Sequence, residues 1–502
     1  MMALKKRWWL VLIFVSIGSF VKIALASDIC SPSDPECGVN PTDECDVRQN
    51  TVFNSNSFNL LKGIDICASN ITLDCNGAIL EGQPFNGIGI DIRTKNDVTV
   101  KNCIITGYYQ GFLLHLTTRN SLINNTLVSN KNGIAFGHVT DSNTDNLLIN
   151  NTVHLNSENG IWINGHRNRA WGNIVESNGG YGLVLNGQNN EITDNGVNSN
   201  YFGIYLGGED NLIARNTANL NIVGFVLLYS YNNTLSDNIA MFNKNPYTDA
   251  AQGILLQYSD GNKLINNVVS LNPVGILIDH SNNTLLSSNN VSENKLSGIY
   301  LFESSHSRVT ENLASLNNVG IDIIRSHSNQ LINNVAIQNN AIGISIGSSY
   351  QNLIDGNHLN SNGLAGIFLS FSDYSEMKNN FINANEVIGF INQGSNYSLI
   401  YNNFFNNTNK FGFINNAFDN GFNQWNITKT PGTNIIGGPF FGGNFWSNYG
   451  GTDTNFDGIG DTDLPFNSSE QIVNGGDFLP LVKSLKKSKL DPKDNRSCIL
   501  CP

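Results

Sequence analysis

Charge is scarce in this chain. Lysine and arginine number 28 and aspartate and glutamate 40 among 502 residues, 14% in all, too little for the solvated faces of a stack of helical domains. The balance is negative, at -12, and no basic cluster stands in the body of the chain, which argues against nucleic acid and anionic membrane surfaces as partners. Methionine is rarer still, with four residues, two of them at positions 1 and 2. Long apolar runs are missing apart from one near the N-terminus, so no membrane span is expected beyond it. What the chain has instead is 48 glycines, set among asparagine and isoleucine.

The one apolar run, Trp8 to Phe20, follows Lys5, Lys6 and Arg7 and ends near Ala24-Leu25-Ala26. That order predicts a secretory signal peptide over residues 1–26, with an uncleaved N-terminal anchor as the alternative. Cysteine agrees with export. Cys30, Cys37, Cys45, Cys67, Cys75 and Cys103 crowd one end, and Cys498 and Cys501 close the other. A CxxC pair suggests zinc, but a second pair is missing, so disulfides that staple the chain ends are expected. Their connectivity is not legible from spacing. The expected location is secreted, periplasmic or at the cell surface.

The glycines are periodic. "GIGIDI" at Gly87 begins a series of Gly-apolar-x-apolar units that ends at Gly412, at spacings of 21 to 29 residues. A second marker, an asparagine after an apolar pair, runs in phase from Asn125 through Asn151, Asn173 and Asn290 to Asn403. Two markers at one period define a repeat architecture. About 22 residues with short Ile/Leu/Val strands, Gly and Asn corners and no helical period describe one coil of a parallel β-helix. A leucine-rich repeat would need a longer frame and a helical or 3₁₀ return. The expected fold is therefore all-β, a single-stranded right-handed parallel β-helix (solenoid) of about 15 coils with terminal caps. Equivalent asparagines are expected to bond to one another as a ladder, the alternative being simple turn residues. Cys103 takes the asparagine slot one coil early and is expected to pair with Cys75.

The expected division is a Cys-rich segment and cap over 27–60, the β-helix over 61–425, a closing block over 426–485 and a CxxC tail over 486–502. At this point a resemblance enters. "ASNITLDCNGAILEG" and "VTVKNCIITGY" resemble the opening coils of the NosD-like (PbH1 repeat) β-helix proteins, and "GGNFWSNYGGTDTNFDGIGDTDLPF" with "DFLPL" resembles their C-terminal block. The resemblance implies an extracytoplasmic β-helix related to carbohydrate-binding and sugar-hydrolase coils. It also implies a role in copper-enzyme maturation, for which four methionines and eight scattered histidines offer no soft-ligand cluster. Enzyme motifs of such folds are present only as fragments. "NTD" (Asn143 to Asp145) and "GHR" (Gly165 to Arg167) stand where a polygalacturonase would show an Asp pair, "GHG" and "RIK". "LIDHSNN" (Leu277 to Asn283) is similar to a pectate lyase segment but lacks the Arg-rich partner.

Three candidate sites follow. Asp453, Asn455, Asp457 and Asp461 alternate as in a calcium loop, with Gly458 at the turn and Leu464 where a bidentate Glu would stand, so calcium is the one cofactor expected. His280, Glu303 and Arg325 each fall five residues after a marker glycine on consecutive coils, where acid/base chemistry on an acidic sugar is possible, against a solvated ion pair. Finally, the outward column two residues after each glycine reads Leu113, Ala135, Trp162, Val184, Tyr205, Val226, Leu255, Leu277 and Tyr300. Trp162, Tyr205 and Tyr300 offer flat faces to sugar rings, with Asn164, Asn186 and Gln257 beside them, and the insertion "NKNPYTDAAQ" forms a lip. The alternative is coverage by the chain's own segments. The expected function is binding of a polysaccharide or a cell-surface protein along this face, without chemistry; a carbohydrate-active enzyme (lyase, hydrolase or epimerase) is the alternative.

Overall fold

The computed structural model describes residues 29–137, 143–247, 251–408 and 412–483. The signal segment, Cys498 and Cys501 lie outside them. Strand follows strand without any helix among the described residues, and the coils stack in parallel register, one of the resulting sheets being 16-stranded. A representative coil carries Lys263–Ile265, Val268–Ser270 and Val274–Asp279. Leu264, Val269, Ile276 and Ile278 point from these strands into a fully buried core. No single coil can enclose those side chains, so each depends on its neighbours above and below.

The corners explain the composition. One corner repeats a left-handed residue at Asn124, Asn150, Asp194, Arg215, Asp237 and Asn266, with φ between 51° and 59°. Asn and Asp tolerate that region best, which accounts for most of the series. Just inside it, Nδ2 of Asn151 donates to Oδ1 of Asn173 at 3.0 Å and to the Leu122 carbonyl of the preceding coil at 2.9 Å, while the Asn151 N–H donates to the same Oδ1. The pattern repeats coil by coil to Asn444. Two further ladders run through Asn130, Asn156 and Asn178 and through Asn146, Asn168 and Asn190, and a serine column from Ser230 to Ser395 continues a fourth corner. Cys103 heads the first ladder, its N–H on Asn125 Oδ1.

Three details of the repeat differ from expectation. The ladder passes through Asn289, not Asn290, which is exposed one step along the strand. In "GIGIDI" the marker slot belongs to Gly89, because Ile90 pairs with Phe112; Gly87 precedes it with φ +66°. At the far end Ala417 pairs with Phe390, so Asn416 rather than Gly412 holds the slot. Within the coils glycine holds the slot for space, not for φ: a Cβ on Gly133 would lie 2.3 Å from Val153 Cγ1 and 2.6 Å from the Gly160 carbonyl oxygen.

The ends are closed differently. Disulfides Cys30–Cys67, Cys37–Cys45 and Cys75–Cys103 tie the first coils, whose strand pairing begins at Asp46. At the other end Phe445–Trp446 pairs with Phe404–Phe405, and Trp446 stacks on Phe405 at 4.5 Å and meets Trp425 at 5.4 Å. The indole N–H of Trp425 donates to Asp419 and that of Trp446 to Asp477, so both buried tryptophans are satisfied.

Replacing a ladder asparagine strands the amide hydrogens of the coil above it. Asn289→Ala is expected to cost about 1–3 kcal/mol and Asn290→Ala less than about 0.5 kcal/mol, read as shifts of the urea midpoint. Equal shifts would contradict the ladder assignment.

Candidate functional site

The outward column exists and is longer than nine residues. Strand register aligns Asp46, Asp65, Asp91, Leu113, Ala135, Trp162, Val184, Tyr205, Val226, Leu255, Leu277, Tyr300, Asp322 and Ser345. Its apolar middle is less open than expected. Leu113, Ala135, Val184, Val226 and Leu255 are buried, and only Trp162, Tyr205, Leu277 and Tyr300 are partly accessible.

The cover comes from a position just before the marker glycines. Phe202 and Val223, with Tyr181 and Ile222, pack against Tyr205, Val226, Leu255 and Leu277 as an apolar cluster separate from the core. Tyr181 stacks on Phe202 at 5.2 Å and meets Tyr205 and Trp162 edge-on at 5.5 and 6.5 Å. Burial pushes the Tyr181 phenol up to about 12. The amides are also engaged: Asn164, itself buried, accepts from Trp162 Nε1 and from Asn186 Nδ2, both at 2.9 Å, and Gln257 donates to Asp279 at 2.7 Å. Of the insertion, Asn243 to Tyr247 are described and Tyr247 is 91% exposed; residues 248–250 lie outside the described set.

His280, Glu303 and Arg325 come together as expected. All three adopt left-handed geometry at the same corner, with φ of 47°, 48° and 50°. His280 Nδ1 meets Asp279 Oδ1 at 2.6 Å and Nε2 meets Glu303 Oε2 at 2.7 Å, while Arg325 Nη1 donates to Glu303 Oε1 at 3.0 Å. The imidazole lies between the rings of Tyr258 and Phe302, at 5.0 and 6.0 Å. Tyr300 and Asp322 adjoin it in the outward column. Desolvation pushes the Asp322 carboxyl up to about 6, and burial, with Asp322 and Asp279 nearby, holds the Tyr300 phenol well above its ordinary value.

The acidic loop is held by its own hydrogen bonds. Asp453 accepts from the N–H groups of Asp457 and Gly458 at 3.1 and 2.8 Å, and Asp461 accepts from Thr454 N–H and Oγ1 at 2.7 and 2.6 Å. Asn455 Oδ1 accepts from Asp457 N–H at 3.0 Å, and Lys429 is ion-paired with Asp457.

Sequence reasoning missed the stack of Asp46, Asp65 and Asp91. The signal was present in "GIDI", which occurs at Gly63 and again at Gly89. Arg48 pairs with Asp46 and Arg93 with Asp91, both at 2.6 Å, while no arginine salt bridge joins Asp65 among the described residues. Desolvation, then the Asp91 and Asp46 charges, push the Asp65 carboxyl up to about 7.

The fold, with its disulfide-tied end, defines a parallel β-helix. The family described as periplasmic copper-binding protein (NosD) matches residues 28–190, 183–312 and 290–451, and the chain belongs to that family. No curated protein matches it significantly. Among solved structures, pre-mature bacteriophage phi29 gene product 12 superposes with a TM-score of 0.51 at 9% identity, over 70% of this chain and 63% of that one. The periplasmic alginate epimerase AlgG aligns at a TM-score of 0.34 and 14% identity, over 71% and 77%. The Azotobacter vinelandii mannuronan C-5 epimerase AlgE6 A-module aligns at 0.30 and 10%, over 75% and 91%. No helix of the described residues is long and apolar enough to cross a membrane.

The family description implies copper, and the described residues do not fit it. The one described set of three converging His, Cys, Asp or Glu ligands is Cys30, Asp46 and Cys67, whose sulfurs are bonded to each other and offer no thiolate. Met377 is in the core.

Raising the folded-state pKa of Asp65 means that the ionised carboxylate opposes folding. Its stabilising protonated form is complete below the unfolded value, about 4, and is lost as pH rises through about 7. Asp65→Asn is therefore expected to raise the melting temperature at pH 8 and to have no effect near pH 4. The opposite ordering would show that Asp65 is stabilised as an anion.

Proposed function

We propose that this chain is an extracytoplasmic β-helix that binds an extended polysaccharide along the outward column from Trp162 to Tyr300. The observation that carries the reading is the second apolar cluster: Tyr181, Phe202, Tyr205, Val223, Val226, Leu255 and Leu277 pack as a stripe outside the core, with Tyr181, Tyr205 and Leu277 partly accessible along it. The whole column from Leu113 to Tyr300 spans nine coils, roughly 40 Å at about 4.8 Å per coil, a length suited to a chain of sugar rings lying along the helix axis. Partly exposed Trp162, Tyr205 and Tyr300 supply apolar ring edges and faces.

A protein ligand at the cell surface would use the same stripe and is separated from a glycan by the same experiment. A glycan array followed by calorimetry on the Trp162→Ala, Tyr205→Ala double variant is expected to show affinity lowered about tenfold or more, from the loss of two ring contacts. A folded double variant that binds every parental ligand unchanged would refute the reading.

Calcium in the loop of Asp453, Asn455, Asp457 and Asp461 is proposed as a stabiliser of the closing block, with Lys429 displaced from Asp457. Without the bidentate Glu, affinity of about 10⁻⁴–10⁻³ M is expected. Millimolar calcium should then raise the melting temperature of the parent but not of Asp457→Ala; no calcium effect on the parent would remove the ion from the account.

A further inference from the structure

At the Tyr300 end of the stripe the face changes from apolar to ionisable. His280 has both ring nitrogens against carboxylate oxygens, at 2.6 Å from Asp279 and 2.7 Å from Glu303. Two carboxylates thus fix the imidazole from both sides. Glu303 is shared: one oxygen faces His280 and the other takes Arg325, whose side chain is 63% exposed. The guanidinium thus has donors free to face a ligand while it orients Glu303. Burial, with the Asp322 and Asp279 charges, keeps the Tyr300 phenol protonated beside this cluster. An imidazole, a carboxylate and a guanidinium stand at the corner that follows the consecutive strands Val274–Asp279, Ser297–Phe302 and Val319–Ile324, with the Tyr300 phenol on the middle strand.

We propose that this cluster is a proton-transfer centre acting on uronosyl residues of a polysaccharide lying along the face, an inference that rests on the binding reading above. Only a sugar with a carboxylate next to a ring C–H offers both an anion for Arg325 and an acidic carbon. Arg325 holds that carboxylate. Glu303 takes the proton from the adjacent ring carbon, C5, and the C–H electron pair passes into the carboxyl group, where the guanidinium faces the charge that develops. The same carbon is then reprotonated, by Glu303 or by the Tyr300 phenol, which regains its proton from solvent. Atoms and electrons balance without a co-reactant. Reprotonation by a different donor permits inversion at the carbon; reprotonation by Glu303 restores it. His280 is a positioning residue that holds Glu303.

The test uses the full chain in deuterium oxide with polymannuronate, polyguluronate and polygalacturonate as probes. Magnetic resonance reads deuterium at C5, and calorimetry reads binding in parallel. The parent is expected to bind at least one probe and place solvent deuterium at C5. Glu303→Gln should lower that rate about 100-fold or more while still binding the same probe. His280→Gln should lower it less and displace the pH profile, which a merely structural histidine would not do. A probe bound without deuterium at C5 overturns the chemistry and leaves the binding face standing. No probe bound and no deuterium incorporated overturns the uronate assignment, and the binding reading falls with it only if the glycan array also finds no ligand. Undiminished exchange in Glu303→Gln removes Glu303 as the base and overturns the proposal.

Discussion

Everything in this protein depends on holding one coil against the next at a fixed pitch. The side-chain amide of asparagine does this. Its Oδ1 accepts two hydrogens from the preceding coil, and its Nδ2 donates both to a backbone carbonyl of that same coil and to the asparagine Oδ1 of the following one. The group is buried and fully satisfied, so it sets the register as firmly as a strand ladder does and at a corner where strands end. Once the register is set, the isoleucines and leucines of successive coils meet in one core, and the aromatic plug of Trp425 and Trp446 closes it.

That same pitch makes the outer face a ruler. Any residue type repeated at one slot becomes a column of side chains about 4.8 Å apart. The slot two residues after the glycine holds carboxylates at one end, an apolar stripe in the middle and Tyr300 with Asp322 beyond it, so one column changes chemistry along the axis without any change of fold. The corner three residues further on carries the His280, Glu303 and Arg325 network, and its left-handed backbone aims these side chains alike. A family known by its description for copper thus has, among the described residues of this chain, its one converging donor set closed by a disulfide, with ionisable groups gathered instead along the outward column and at the His280 corner.

The repeat was legible because both of its markers answer to local constraints: glycine to the approach of a neighbouring strand, asparagine to the corner. Where two asparagines adjoin, as at Asn289 and Asn290, the pattern cannot say which one turns inward; only the register does. The same holds for Gly87 and Gly89. The meeting of His280, Glu303 and Arg325 was legible because equal offset from equivalent glycines becomes adjacency in a solenoid. What the pattern hid was the residue before the glycine. Tyr181 and Phe202 were outside the motif that was being read, yet they cover the column that the motif predicts to be open. The Asp46, Asp65 and Asp91 stack was hidden because the Cys-rich segment reads as a cap, whereas the coils already begin within it.

The central claim is that the ligand lies along the outward column and not elsewhere on the solenoid. Hydroxyl-radical footprinting of the chain with a bound polysaccharide tests this directly. The account predicts protection of Trp162, Tyr205, Tyr258 and Tyr300, with Trp171, Tyr374 and Tyr397, which are exposed away from the column, modified as fast as in the free protein. Protection of Trp171, Tyr374 or Tyr397 with Trp162 and Tyr300 unchanged would contradict it.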